Sequence, residues 1–425
     1  MTRSSSPLRP FFGTVFVPAA IFGIGQGAGA PVIALVARDL GASVAVSGLI
    51  VAAVGLGAVL GDLPAGRLVA KFGERRSIIG GSLLGAAGVL VALFSVAPWM
   101  LAVGALMTGL ANAVWGLARQ SYLAEAVPIE ARARAMSAFA AMWRLGFFIG
   151  PLIGAGVILL LGVRGGFVVQ FVGILVSGWL MARVPDIPRA ASGSATGPTH
   201  ATLPSILSRH RRLLLTLGSG SLLMGAARAS REAVLPLWAA HIGLDAAQVS
   251  LVFAVGAAVD LLCSYPAGRL MDRYGRRFVA VPSLLVLGLS YALIPLSHDL
   301  VTIMAVAVVL GIGNGFGNGV IMTLGADTAP PATRAEFLAA WRLTHDSGMF
   351  AGPFAVGALA AVVPLGGAIV ALGGSAVLGA GILFRYIPRY VPWPPPRPAV
   401  PTEPASSPPG RSTAEKAASP QATTV

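Results

Sequence analysis

Apolar segments of about 20 residues or more recur along most of the chain and are separated by short polar or glycine-rich stretches. A helix of that length crosses the hydrocarbon core of a bilayer. The pattern therefore predicts an all-α membrane protein with twelve transmembrane helices. We place them at approximately residues 11–37, 45–69, 77–97, 99–125, 135–161, 165–184, 213–239, 247–270, 279–297, 300–326, 336–362 and 367–387.

Two stretches lack the apolar pattern and divide the chain. Residues 185–210 are rich in Pro, Ser, Gly and Thr, which is typical of a linker. Residues 391–425 are rich in Pro, Ser and Ala, and we expect a disordered cytoplasmic tail. The predicted organisation is an N-terminal six-helix half at 1–184, a cytoplasmic linker at 185–210, and a C-terminal six-helix half at 211–390.

Polar residues repeat at a fixed offset of 202 positions, which indicates an internal duplication. Pro64 maps onto Pro266 (266 − 64 = 202), and the register holds across three predicted spans. The matched pairs are Arg67 and Arg269, Lys71 and Arg273, Gly73 and Gly275, Arg75 and Arg277, Asn112 and Asn314, Glu125 and Asp327, Gly150 and Gly352, and Pro151 and Pro353. Two pseudo-symmetric halves of the same topology are one repeat plan of secondary transporters.

Composition and charge support this assignment and set an orientation. Hydrophobic residues make up 56% of the chain and charged residues 11%, with a formal net charge of +14. The basic residues cluster in loops after even-numbered spans and near both termini, whereas the opposite side holds only Arg38 and Arg164. Both termini are therefore predicted to be cytoplasmic, in a plasma (inner) membrane. The basic clusters lack interleaved aromatics, which argues against nucleic acid as a partner.

No pattern of an intramembrane enzyme is present in the sequence. The chain has a single cysteine, Cys263, which lies in an apolar run and is expected to pack there. No His-x-x-x-His or comparable metal-ligand set occurs, so we expect no metal and no cofactor. The expected partners are a small-molecule substrate, protons and the lipid bilayer, and the expected state is a monomer.

A basic loop follows the second span of each half. The second copy carries Gly268, Asp272, Arg273, Gly275, Arg276 and Arg277; the first carries Gly66, Arg67, Lys71, Gly73 and Arg75, but has Ala70 and Glu74 at two signature positions. This loop resembles the signature of the major facilitator superfamily. Span 5 resembles that of the family's proton-coupled exporters, through Gly146, Gly150, Pro151 and Gly154, with Arg144 just before them. Arg119, late in span 4, also matches a basic position of the family.

The resemblance implies the family's fold and a gate at the basic loops. Gly73 and Gly275 provide the positive φ that a tight turn needs. Asp272 is positioned to face the positive N-terminal end of span 5. The resemblance implies that such contacts lock an outward-facing state. Because Ala70 replaces the acid in the first copy, we expect the lock to be asymmetric, with Asp62 as one possible substitute.

Ionisable residues inside predicted spans are costly and default to a functional hypothesis. Arg228, Arg231 and Glu232 share the i, i+3, i+4 spacing of Arg342, His345 and Asp346, so each trio lies on one helix face. Each face offers an arginine–acid pair four residues apart, Arg228 with Glu232 and Arg342 with Asp346, and one unpaired basic group. The alternative is that they form ion pairs which only fix helix rotation, and that His345 is a hydrogen-bonded core residue. The proton-coupling candidates are Asp346, His345, Glu232, Asp260 and Asp62. The substrate-cavity candidates are Arg144, Arg228, Arg231, Arg342, Arg119, Gln26, Asn112, Asn314 and Asn318.

Glycines form a ladder in span 10 at Gly311, Gly313, Gly315, Gly317 and Gly319. Close helix packing through small residues is one interpretation, and a helix that bends is the other. Trp115, Trp143, Trp238 and Trp341 are candidates to stack a flat substrate or to pack. Together these features predict a secondary transporter working by alternating access, with proton-coupled efflux of a drug-like or metabolite molecule. The alternative is proton-coupled transport of a small organic anion.

Overall fold

The computed structural model describes residues 11–127, 129–183, 203–330 and 333–392, and these residues form helices joined by short turns, with no β-strand. A π-helical turn at Phe12–Phe16 precedes the first helix and a 3₁₀ turn at Ile294–Leu296 follows the tenth. The α-helices are α1 Val17–Asp39, α2 Val44–Phe72, α3 Glu74–Leu93, α4 Pro98–Ala126, α5 Ile129–Leu161, α6 Gly165–Ala182, α7 Leu203–Arg209, α8 Arg211–His241, α9 Ala246–Tyr274, α10 Arg276–Leu293, α11 Leu300–Phe316, α12 Val320–Thr328, α13 Arg334–Ala360 and α14 Leu365–Tyr390.

Ten helical stretches of the described chain are long and apolar enough to cross a membrane. The two remaining long helices are α8, with 31 residues, and α13, with 27, and these carry the two charged trios. The structure differs from the prediction in two places: span 10 is broken into α11 and α12, and the predicted linker contains the short helix α7. The rest of that linker, residues 185–202, and the tail from 393 onward lie outside the described residues.

The long helices pack in two groups, α1–α6 (the first half) and α8–α14 (the second half). Glycines spaced four apart allow the closest approaches within each half. Gly146 and Gly150 of α5 pack against the backbone of α1, as Gly348 and Gly352 of α13 pack against that of α8. At the 202 offset Gly146 matches Gly348 and Gly150 matches Gly352. The internal repeat in the sequence therefore corresponds to the same helix packing in both halves. The Gly-rich pattern of span 5, including Gly154 against Ala28, is explained by this contact.

Tight turns close the two basic loops as predicted. Gly73 has φ +85° between α2 and α3, and Gly275 has φ +87° between α9 and α10. We call the end of the molecule that carries these turns the basic end, because Arg75, Arg76, Arg276 and Arg277 follow them. At the opposite end, Asp245 and Gln248 form a capping box that starts α9.

The two halves touch mainly away from the basic end. Helix α2 packs on α13, α5 on α9, and α1 on α8. Along α2 and α13 the contact runs from Gly48 and Gly357, near the opposite end, to Asp62 and Arg342, near the middle. Past Asp62 toward the basic end, α2 exposes Arg67, Leu68 and Ala70. The described contacts therefore close one end of the interface and leave the basic end apart.

Candidate functional site

A carboxylate, Asp260 of α9, lies at the centre of a buried polar cluster in the second half. Its Oδ2 accepts a hydrogen bond from Asn314 Nδ2 at 2.7 Å, and its Oδ1 accepts one from Asn318 Nδ2 at 2.6 Å. Arg231 Nη1 lies 3.5 Å from Oδ2. All four residues are at most 8% exposed. The buried charge is thus compensated by one guanidinium and two amides.

The break in span 10 places the two asparagines. Gly319 adopts φ +81°, and helix α11 ends before it at Phe316. Arg228 donates from Nη1 to the backbone oxygen of Asn314 at 3.0 Å and from Nη2 to Asn318 Oδ1 at 2.5 Å. The proposed pair between Arg228 and Glu232 does not form, because the asparagine backbone and side chain at the break take the guanidinium instead. We call Arg228, Arg231, Asp260, Asn314 and Asn318 the Asp260 cluster.

A second charged group joins the two halves where α2 meets α13. Arg342 Nη2 lies 3.2 Å from Asp62 Oδ1, and Arg342 Nε donates to Asp346 Oδ2 at 3.2 Å. The carboxyl groups of Asp62 and Asp346 are direct neighbours, and Asp62 Oδ2 has no hydrogen-bond donor among the described residues. The side chain of Arg342 is 40% exposed, whereas the two acids are 15% and 11% exposed. We call these three residues the acidic seam, since two carboxylates share one guanidinium.

The contact between α5 and α9 carries the reverse charge. Arg144 of α5 has Asp260 and Arg231 as its charged neighbours. The guanidinium of Arg231 lies 5.4 Å from the ring centre of Phe147 on α5 and 5.6 Å from that of Phe253 on α9. We call Arg144, Arg231 and Asp260 the basic seam, since two guanidinium groups lie around one carboxylate, which is paired with Arg231. Among the described residues, no acid lies within ion-pair distance of Arg144.

A buried aromatic cluster in the first half surrounds one guanidinium group, that of Arg119. Gln26 Nε2 donates to Asn112 Oδ1 at 3.1 Å, which joins α1 to α4. On the next turns Phe22 stacks on Trp115 at 3.5 Å. The Arg119 guanidinium lies 3.4 Å from the ring centre of Trp115 and 3.8 Å from that of Phe139. Arg119 is 4% exposed, and its Nε and Nη1 have no hydrogen-bond partner in the described chain.

The other candidates occupy more peripheral positions. His345 Nδ1 donates to the Ser221 backbone oxygen at 3.2 Å, so its ring faces α8. Glu232 forms no ion pair with the residues that the structure describes. In the basic loops, Gly66, Arg67, Asp272 and Arg273 are exposed, Gly268 is half-buried, and Arg276 pairs with Asp327 at 2.8 Å. The gating contact of Asp272 stays a prediction, because this end of the interface is open.

The sequence did not reveal that Asp62 joins Arg342 across the interface. It suggested Asp62 only as a substitute in the basic loop. At the 202 offset Asp62 maps onto Ser264, which accepts a hydrogen bond from Asn318 at 2.7 Å beside Asp260. Two of the candidate tryptophans are packing residues. Trp238 donates a hydrogen bond to Ser297, and Trp341 donates one to the Ile321 backbone oxygen.

Comparison with known proteins identifies the family. The family model for the Major Facilitator Superfamily matches residues 15–230 and 217–420. The MFS-type transporter MJ1560 of Methanocaldococcus jannaschii is 22% identical over 80% of this chain and 88% of its own. The MFS-type transporter YddS of Bacillus subtilis is 26% identical over 76% and 78%.

Solved structures share the fold at low sequence identity. The nucleoside transporter NupG has a TM-score of 0.69 at 16% identity, with 87% of this chain and 98% of that chain covered. A D-xylose–proton symporter has a TM-score of 0.70 at 15% identity, with 91% and 99% covered. The family model matches both halves of this multi-pass membrane chain, which therefore belongs to the major facilitator superfamily.

Proposed function

We propose that this transporter works by alternating access, couples to protons, and exports a drug-like or metabolite small molecule across the plasma membrane. In this proposal α8 and α13 are spans, which completes twelve, and the basic end with both termini is cytoplasmic. Charged faces on these two helices suit spans that line a water-accessible cavity rather than lipid. The contacts away from the basic end then correspond to an inward-facing state.

The acidic seam is the observation that carries proton coupling. Two carboxylates share one guanidinium, so one negative charge remains uncompensated when both are ionised. An uncompensated charge at a half-buried position is costly, and a proton taken up by Asp62 or Asp346 removes it. Because Asp62 belongs to the first half and the other two residues to the second, the protonation state also affects how strongly the halves attract each other.

Alternating access provides the coupling step. A proton that weakens the attraction of Asp62 for Arg342 shifts the equilibrium between the two open states by its differential affinity for them. A substrate that binds between the halves shifts the same equilibrium in its own direction. Proton entry and substrate exit are then linked through one conformational change. The direction, export, rests on the Gly-rich span 5 that resembles the family's proton-coupled exporters.

A second candidate substrate class, a small organic anion, is favoured by the basic seam. Arg144 lacks an acid of its own, and Arg119 is buried without one. A carboxylate or phosphate ester placed between the halves would supply the missing charge and form charge-assisted hydrogen bonds. Trp143, which is half-buried on α5 and stacks on Phe147, would hold the apolar part of such a molecule.

Proton flux in everted vesicles tests the proposal. Vesicles with the wild-type protein should dissipate an imposed pH gradient when substrate is added from a panel of cationic, neutral and anionic compounds. The same vesicles with Asp62→Asn should not. If no compound of the panel releases protons, proton-coupled efflux is wrong. If only anions do so, the substrate is of the second class.

A further inference from the structure

A pocket outside the substrate path lies at the basic end, on the outer side of the second half. It has a volume of about 410 Å³ and lies between the turn after α9, the start of α10 and the end of α14. Its walls include Tyr274, Arg277, Phe278, Val281, Phe384 and Ile387. Pockets of roughly 300–1,000 Å³ hold small organic ligands. None of the proposed proton or substrate residues lines it.

The surface around the pocket is that of a lipid-facing groove. Helices α10 and α14 pack on each other, and each exposes a line of large apolar side chains. On α10 these are Phe278, Leu285 and Leu289, and on α14 they are Val370, Val377 and Phe384, all 45–53% exposed. These side chains continue from the pocket along most of the length of both helices. An acyl chain fits such a groove, and the pocket then lies where the headgroup of that lipid would be.

One cation in the pocket has no acidic partner. Arg277 is half-buried and lies with its guanidinium 3.6 Å from the ring centre of Phe384. Within the described residues no acid lies at ion-pair distance from it. The ring holds one face of the guanidinium, and its N–H edge remains available for a phosphate oxygen. Tyr274 and Phe278, whose ring centres are 4.9 Å apart, provide the aromatic surface typical of a membrane interface.

We propose that this pocket binds an anionic phospholipid, with the phosphate at Arg277 and one acyl chain in the groove between α10 and α14. The site belongs to the second half alone. At the 202 offset, Phe278 becomes Arg76 (278 − 202) and Phe384 becomes Ala182 (384 − 202), so the first half lacks both rings at the matching positions. Arg76 takes the place of Phe278 in the first half and is an exposed arginine at the same end, so it provides a control for general charge attraction.

Native mass spectrometry of the purified full-length protein in detergent tests the site with palmitoyl-oleoyl phosphatidylglycerol. Arg277→Gln should lower the fraction of protein that retains this lipid by about tenfold, and Phe384→Leu by about threefold. Arg76→Gln should leave it unchanged. An equal loss in Arg76→Gln and Arg277→Gln would mean general charge attraction and would overturn the proposal.

Two further measurements separate the ligand sources. Palmitoyl-oleoyl phosphatidylcholine should be retained more weakly than phosphatidylglycerol, and equal retention would contradict selection for an anionic headgroup. Inorganic phosphate should not displace the bound lipid; displacement would identify a free-phosphate site instead. A photoactivatable phosphatidylglycerol should label peptides 274–282 and 384–391 of the wild-type protein, and labelling confined to other peptides would refute the site without any variant.

Discussion

The two seams that join the halves lie at matching helix contacts and carry opposite surplus charge. At the α2–α13 contact, Asp62 and Asp346 share Arg342. At the α5–α9 contact, Asp260 is paired with Arg231 of α8, and Arg144 of α5 is a charged neighbour of both without an ion pair. The 202 offset relates these contacts, since α2 corresponds to α9 and α5 to α13. Arg144 and Asp346 occupy matching positions (346 − 202 = 144), so one scaffold position carries a base in one half and an acid in the other.

The opposite charges of the two seams suit two different ligands, a proton at one and an anion at the other. A seam with a surplus carboxylate can take up a proton and become neutral. A seam with a surplus guanidinium cannot lose its proton at physiological pH and can only be neutralised by an anion. Proton binding is thereby expected at one interface between the halves, and binding of a negatively charged substrate group at the other.

The comparison predicts that replacing an aspartate by asparagine has different effects in the two seams. The largest expected effect is a loss of stability on substitution of Asp260. Asp260→Asn removes the only carboxylate of its cluster and leaves buried guanidinium groups uncompensated. We expect the free energy of unfolding to fall by about 3–5 kcal/mol. Thermal unfolding of the purified protein, followed by size-exclusion chromatography, measures this. Asp39→Asn, at an exposed position at the end of α1, is the control and should behave as the wild type.

Asp346→Asn should leave the protein folded and abolish coupling. Arg342 keeps Asp62 as its partner, so no buried charge is left alone. We expect substrate accumulation driven by a pH gradient to fall by about 100-fold, while downhill flux without a gradient persists. Transport assays in vesicles at matched expression measure both. Unchanged accumulation would mean that Asp346 is structural, and a loss of folded protein would mean that the two seams do not differ as the charge count implies.

Several local features could be predicted from sequence because they depend on neighbours along the chain. The turns at Gly73 and Gly275, and the pair between Arg342 and Asp346 four residues apart, are of this kind. Contacts between different helices could not be predicted in the same way. Arg228 does not pair with Glu232, because the break after Phe316 offers it acceptors on Asn314 and Asn318.

The partner of Asp62 could not be read from periodicity either. It depends on how α2 lies along α13, and this is set by glycine contacts distant in sequence, such as Gly55 against Phe350. The same holds for Arg119, whose aromatic neighbours come from three helices. The offset of 202 was the most useful long-range signal, because it places Arg144 and Asp346 at matching positions.

The basic seam predicts a substrate-dependent effect for Arg144. Arg144→Gln removes the guanidinium that lacks an acid of its own, so stability should change little. The half-saturating concentration of an anionic substrate should rise by about tenfold, as expected for one lost charge-assisted hydrogen bond, while that of a neutral or cationic substrate should stay the same. Competition assays with matched acid and amide pairs of one compound measure the difference. A uniform rise for all substrates would assign Arg144 to packing.

The two basic loops also differ between the halves, and we expect this difference to have the smallest effect on transport. Asp272 is present in the second loop, whereas Ala70 takes its place in the first. Both positions are exposed while the basic end is open, so the acid can act only when the halves close there. A carboxylate facing the positive end of a helix contributes about 1 kcal/mol, or about fivefold in the population of the closed state.

Asp272→Asn should therefore slow transport by about fivefold, and Ala70→Asp should change it far less. Initial rates in vesicles, with cysteine accessibility at the basic end as a second readout, measure the shift; equal effects of the two variants would refute an asymmetric gate.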